Sequence, residues 1–120
     1  MTLTGVTALR ERLEAEGFDR ADRAADDLIA RDGATALPES DLNNWGYRLL
    51  AGGKTAEALI LMKLIARLYP DSANAYDSLA EVYARSGDRP RAIENYRRSL
   101  ALDPANTNAV EQLRTLEAGD

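Results

Sequence analysis

The sequence contains no cysteine and no histidine among its 120 residues. The chain therefore has no disulfide, no thiol nucleophile, no imidazole base and none of the usual protein ligands of zinc or haem. A serine nucleophile would need an activating base, and the two lysines, Lys54 and Lys63, are expected in a turn and on a helix. These absences argue against an enzyme and predict neither a cofactor nor a metal site.

Long apolar runs and excess positive charge are also missing. No stretch reaches the roughly 20 apolar residues of a membrane span, and residues 1–6 lack the basic start and apolar run of a signal peptide. We therefore expect a soluble, cytoplasmic chain without a membrane partner. The net charge of −5 would repel a nucleic-acid backbone, so no nucleic-acid partner is expected. Aromatic residues make up only 6% of the chain, which favours thin helical layers over a β-sandwich.

What the chain does contain is one pattern written twice, 34 residues apart, between Leu42 and Pro104. The first copy holds Leu42, Trp45, Gly46, Leu49, Gly53, Ala58, Met62, Ile65, Leu68 and Pro70. The second copy holds Tyr76, Leu79, Ala80, Tyr83, Gly87, Ala92, Tyr96, Ser99, Leu102 and Pro104. A fixed period of this length is typical of stacked helix–turn–helix units.

The two copies resemble the tetratricopeptide repeat, whose pattern runs from an aromatic residue or Leu, through small residues, Gly and Ala, to a closing Pro. The resemblance implies an all-α, right-handed helical solenoid of about seven helices in a single domain spanning residues 1–120. We expect a degenerate helical pair at 4–38, full repeats at 39–72 and 73–106, and a capping helix at 107–118. Residues 42–86 also look like tetratricopeptide segments appended to larger bacterial hydrolases, which implies an accessory module.

Local signals predict where the helices begin. Apolar spacing predicts a helix over residues 4–16 and a second helix from an N-cap at Asp19. The later helices have their own candidate caps, namely Ser40 or Asp41, Thr55, Asp71 or Ser72, and Asn106 or Thr107. Pro90 is expected in the first turn of the helix after Gly87, where its missing N–H does least harm.

Two motifs that suggest chemistry have simpler explanations. Gly53-Lys54-Thr55 looks like the end of a phosphate-binding loop, but position 48 is Arg48 rather than Gly and no strand precedes it. A helix–helix turn explains these glycines better. The neighbouring acids Asp26 and Asp27, and likewise Glu14 and Glu16, could share a proton or hold a cation, but nearby arginines favour charge-balanced, solvated helix faces.

The family resemblance implies that the first helix of each repeat lines a concave groove. The corresponding positions here are Asn43, Asn44 and Tyr47 in the first repeat, Asn74, Asp77, Ser78 and Glu81 in the second, and Asn108 and Glu111 in the terminal helix. These positions hold no Lys or Arg, so the basic clamp with which some family members grip C-terminal carboxylates is not expected. Asn side chains can bond to an extended peptide, and the acids favour a neutral or basic partner segment. A groove without a specific ligand is the alternative.

The second helix of the first repeat is apolar almost all round. Ile60, Leu61 and Leu64 occupy positions where the second repeat has Glu94, Asn95 and Arg98, so these three side chains exceed what the repeat's own core needs. They would be covered by the Ala-rich N-terminal helices or by a second copy of the chain or another protein. The sequence thus predicts a non-catalytic protein-interaction module, and a self-assembling homodimer through this face is the alternative.

Overall fold

The computed structural model describes residues 3–119, which form seven α-helices and one short 3₁₀ helix. The α-helices are α1 (Gly5–Glu16), α2 (Ala21–Asp32), α3 (Glu39–Ala51), α4 (Thr55–Leu68), α5 (Ala73–Arg85), α6 (Arg89–Leu102) and α7 (Thr107–Ala118). Within the described residues there is no strand, so the expected all-α architecture with seven helices is confirmed. The chain divides into two compact units, residues 1–64 and residues 65–120.

The core of the first unit is built around Trp45 on α3. The Phe18 ring lies 5.7 Å from the Trp45 ring, centroid to centroid, with the two planes tilted by 50°. Trp45 is 3% exposed, and Leu9 and Leu13 of α1 are also buried. Helix α2 buries its Ala-rich face, as its sequence predicts, through Ala21, Ala24, Ala25 and Leu28. Apolar burial and an aromatic contact together fix the N-terminal helices within this unit.

Helices α3 and α4 approach closely at Gly46. A Cβ atom at this position would lie 2.6 Å from Met62 Cε and 3.1 Å from Met62 Sδ. Glycine at this position therefore lets the second helix of the repeat pack directly against the first.

The second unit is organised around α6, with α5 and α7 packed against it. Tyr96 on α6 is 2% exposed and belongs to a buried cluster with Ala80 of α5 and with Ala109 and Leu113 of α7. Ser99 Oγ also donates a 2.7 Å hydrogen bond to the Ala73 carbonyl and so links α6 to the start of α5. Helix α7 thus covers apolar surface that α5 and α6 leave open.

The turn between α3 and α4 and the turn between α5 and α6 have the same hydrogen-bond pattern, 34 residues apart. After α3 the Lys54 N–H donates to the Leu49 carbonyl at 2.9 Å, and after α5 the Asp88 N–H donates to the Tyr83 carbonyl at 2.9 Å. Gly53 (φ 79°) and Gly87 (φ 85°) supply the left-handed residue that this helix ending requires. The structure therefore confirms that Gly53-Lys54-Thr55 is a helix–helix turn, and the phosphate-loop reading is wrong.

The helix starts agree with the sequence in the second unit and less well in the first. Ser72 and Asn106 are N-caps, as predicted, and accept hydrogen bonds from the Ala75 and Ala109 N–H groups. Asp19, in contrast, is not the cap of α2, because Phe18–Arg20 form a 3₁₀ helix and α2 begins at Ala21. Neither Ser40 nor Asp41 caps α3, which begins at Glu39 directly after Pro38.

Candidate functional site

The polar face of the second unit is organised by Asp77 on α5. Its carboxylate accepts hydrogen bonds from Asn106 Nδ2 at 2.7 Å and from Asn108 Nδ2 at 3.0 and 3.1 Å. Asn106 Nδ2 also contacts Ser99 Oγ at 2.9 Å. Two of the predicted groove residues, Asp77 and Asn108, are therefore brought into direct contact, and a carboxylate is held between two helices that both open a repeat.

A cleft of about 370 Å³ lies on the same unit. It is lined by Glu81, Ala84, Arg85, Tyr96, Asn108 and Gln112. Glu81 and Arg85, one helical turn apart, form an ion pair of 3.0 Å, so the cleft presents one neutralised pair of charges beside two side-chain amides. A side-chain amide can donate a hydrogen bond to a peptide backbone and accept one from it at the same time, so such a cleft can bind an extended peptide.

The other predicted residues of this unit differ in accessibility. Asn74 and Glu111 are exposed and Asp77 and Glu81 are half-buried. Ser78 is 1% exposed. Its assignment as a groove contact is therefore corrected, because a small side chain enclosed by packed helices has no surface to offer a ligand.

In the first unit the predicted residues Asn43 and Tyr47 are half-buried and Asn44 is exposed. Asn44 lines a second cleft, of about 330 Å³, that we call the N-terminal cleft; its lining residues are Thr4, Gly5, Val6, Thr7, Arg10, Asp41, Asn44 and Arg48. The two arginines did not figure in the sequence prediction, since neither occupies a groove position of the repeat. The 34-residue period does not relate these two arginines to each other, because Arg10 lies in the degenerate N-terminal pair, outside the two full repeats.

The apolar face of α4 is largely enclosed within the chain. Leu61 is 0% and Leu64 is 2% exposed, while Ile60 is half-buried. Leu61 Cδ2 lies 3.7 Å from where a Cβ at Gly46 would be, so α3 helps to cover it. The predicted oligomer face is corrected accordingly, because Leu61 and Leu64 have no exposed surface for a second copy to contact.

Three acidic residues of the N-terminal helices, Glu16, Asp27 and Asp32, form ion pairs with arginines. Arg12 lies 2.8 Å from Asp27 and 3.3 Å from Glu16, and the hydrogen bond to Asp27 raises the Arg12 pKa. Residues 3–119 contain no group of three or more acidic side chains arranged to hold a metal ion. None of the helices in this described part of the chain combines the length and the hydropathy that crossing a bilayer requires.

Comparison with known proteins identifies the repeat. The family model described as "Tetratricopeptide repeat" matches residues 73–106. The first TPR of Spaghetti (RPAP3) bound to the HSP90 peptide SRMEEVD is similar with a TM-score of 0.65 and 19% identity, covering 92% of this chain and 86% of that one. A crystal structure of MamA is similar with a TM-score of 0.64 and 23% identity, covering 92% and 62% of the two chains.

Among curated proteins, the chain is 28% identical over 105 residues to the cellulose synthase operon protein C of Escherichia coli K12. The match covers 86% of this chain but only 9% of that relative, and a protein of Escherichia coli O157:H7 matches to the same extent. Fold and repeat together define an all-α helical-repeat protein. Residues 73–106 of the chain match the tetratricopeptide repeat, and the predicted fold class is confirmed.

Proposed function

We propose that the chain is a non-catalytic protein-interaction module that binds a partner segment on its first-helix face. The observation that carries this proposal is the 370 Å³ cleft of the second unit, whose lining includes the predicted contact residues Glu81 and Asn108. In proteins that this chain resembles, the first helices of consecutive repeats line the binding groove. Helices α5 and α7 hold the corresponding positions in the second unit.

The polar groups of this face suit an extended peptide. Asn108 and Gln112 offer side-chain amides at the cleft, and Asn74 is exposed at the start of α5. A peptide strand carries one donor and one acceptor per residue, and side-chain amides can satisfy both. One of the similar solved structures contains a bound peptide, which supports a peptide or protein as the class of partner.

The charges of the face favour a neutral or basic partner segment. Asp77, Glu81 and Glu111 contribute three carboxylates and Arg85 one cation. Complementary potentials raise association rates and disfavour partners of like charge. An acidic peptide such as SRMEEVD therefore suits this face less well than a basic one.

Peptide selection tests the proposal directly. We expect a phage-displayed random peptide library selected on the intact chain to yield binders, and the double variant Asn74→Ala with Asn108→Ala to weaken them roughly tenfold or more, because two hydrogen bonds are lost. The variant Glu81→Lys should weaken basic binders further. Glu94→Ala, on the exposed side of α6, is the matched control and should leave binding unchanged.

Two results would contradict the proposal. Binders unaffected by the α5 and α7 variants would place the binding surface elsewhere. Equal losses in Glu94→Ala would indicate a general effect on the fold. Circular dichroism of each variant separates lost binding from lost structure.

The comparison with curated proteins supports a second proposed role, as an accessory unit of a larger enzyme system. The relatives are much longer than the chain, which matches only 9% of their length. In such a setting this face would dock a segment of the larger assembly and would itself perform no chemistry. The selected peptides would then resemble a segment of a protein encoded beside this chain, and unrelated consensus sequences would argue against this role.

A further inference from the structure

The N-terminal cleft differs in chemistry from the rest of the chain. All of its lining residues belong to the first unit, and two of them, Arg10 and Arg48, are cationic against a single anion, Asp41. The whole chain carries a net charge of −5. A local excess of positive charge on an acidic protein attracts a ligand of opposite charge to this cleft.

Arg10 is the central group. Its guanidinium carbon lies 5.5 Å from the centroid of the Trp45 ring, which orients the planar group by a cation–π contact. Its Nε atom is buried and has no hydrogen-bond partner among the residues that the structure describes. It is also the one buried side-chain nitrogen or oxygen of residues 3–119 in that condition. Buried donors are nearly always satisfied, so this N–H calls for an acceptor.

The start of α1 adds further donors to the same cleft. Thr4, the N-cap residue, is extended (φ −132°, ψ 167°) but its side chain makes no capping hydrogen bond. The first-turn N–H groups of α1 therefore receive no acceptor from their cap, and the helix places partial positive charge at this end. Thr4, Gly5, Val6 and Thr7 all line the cleft.

We infer that the N-terminal cleft binds an oxyanion, a carboxylate or a phosphate group, which accepts hydrogen bonds from Arg10 and Arg48 and lies against the uncapped start of α1. Guanidinium groups match the planar, multi-acceptor geometry of both oxyanions. The Asn44 amide can donate to the same ligand. The inference is independent of peptide binding on the second unit, and either can fail without the other.

Nuclear magnetic resonance tests the inference on the intact chain. Inorganic phosphate and, separately, acetate are titrated at constant ionic strength while the Arg10 Nε–H and the backbone amides of residues 4–7 are followed. We expect saturable shifts at these groups with one of the two anions or with both. Phosphate alone would identify a phosphate site, acetate alone a carboxylate site, and both a general oxyanion site.

A variant pair makes the test specific. Arg48→Gln removes one cation from an exposed position and should weaken anion binding about tenfold, because a charge-assisted hydrogen bond is lost. Arg23→Gln removes another exposed cation, from α2 of the same unit, and should change the affinity by less than about twofold. The inference is overturned if neither anion produces saturable shifts, if Arg48→Gln binds as tightly as the wild type, or if Arg23→Gln weakens binding equally.

Discussion

Met62 Cε occupies the space into which a side chain at Gly46 would project, 2.6 Å from the position of a Cβ atom. Alanine normally stabilises a helix interior by about 1 kcal/mol relative to glycine. Here the Met62 side chain is fully buried, so displacing it should outweigh that gain. We expect Gly46→Ala to lower the free energy of unfolding by about 1–2 kcal/mol, measured by urea denaturation.

The background variant Met62→Leu, which lacks an atom equivalent to Cε, checks the cause of this loss. In that background we expect Gly46→Ala to leave the free energy of unfolding unchanged or to raise it. The coupling energy between the two substitutions would then have the opposite sign to the effect of Gly46→Ala alone. Equal losses in both backgrounds would show that the close approach of Met62 is not responsible.

The interhelical turns give a second prediction. Gly53→Ala and Gly87→Ala should each cost about 1–2 kcal/mol, because an L-residue is strained at their positive φ. Gly52→Ala is the matched control, since Gly52 has φ −82° and its Cβ would lie 3.4 Å from the nearest atom. It should change the free energy of unfolding by less than about 0.5 kcal/mol. A similar cost at all three positions would contradict the strain argument.

Asn106 and Asn108 donate to the same carboxylate but should contribute unequally. Asn106 also caps α7 through its Oδ1, which accepts from the Ala109 N–H at 3.2 Å, and it reaches Ser99. We expect Asn106→Ala to cost about 2–3 kcal/mol, the sum of a lost cap and lost hydrogen bonds. The exposed Asn108→Ala should cost less than about 1 kcal/mol. Thermal unfolding of the two variants measures these losses of stability. Equal losses would show that the capping and Ser99 contacts of Asn106 add no stability.

Much of the fold could be predicted because the decisive signals are local. The glycines at 53 and 87 and the prolines at 70 and 104 mark helix ends by their own backbone preferences. The aromatic core residues follow the 34-residue period. Asp77 and Asn108 could be assigned to one face for the same reason, since both occupy first-helix positions of the repeat.

Other features depend on contacts that the period does not encode. The 3₁₀ helix before α2 places Phe18 against Trp45, a contact between residues far apart in sequence. The N-terminal cleft likewise joins Arg10 to Arg48 from two different helical pairs. The sequence leaves two interpretations open for Leu61 and Leu64, burial within the chain or burial against another chain. Helical spacing cannot decide between them, because it shows that a face is apolar but not what covers it.

Asp32 provides a prediction for pH dependence. Arg31 donates from Nε and Nη2 to its two carboxylate oxygens at 2.9 and 2.7 Å, and these hydrogen bonds lower the pKa of Asp32 below its ordinary value. The contribution of this pair to stability is present above the unfolded-state pKa, near 3.9, and is lost as the pH falls through the lower folded-state value.

A carboxyl titration followed by nuclear magnetic resonance measures this shift. In Arg31→Gln the Asp32 pKa should rise towards about 3.9, whereas Arg23→Gln should leave it at the wild-type value. An Asp32 pKa that is the same with and without Arg31 would show that the pair does not form in solution.

The two glycine turns also bear on how fast the chain folds. Their hydrogen bonds join residues five positions apart, such as Lys54 with Leu49 and Asp88 with Tyr83. Closing such short segments costs little chain entropy, and proteins dominated by contacts close in sequence fold within microseconds to milliseconds. The two turns can therefore close early in folding, before contacts form between residues that lie far apart in the sequence.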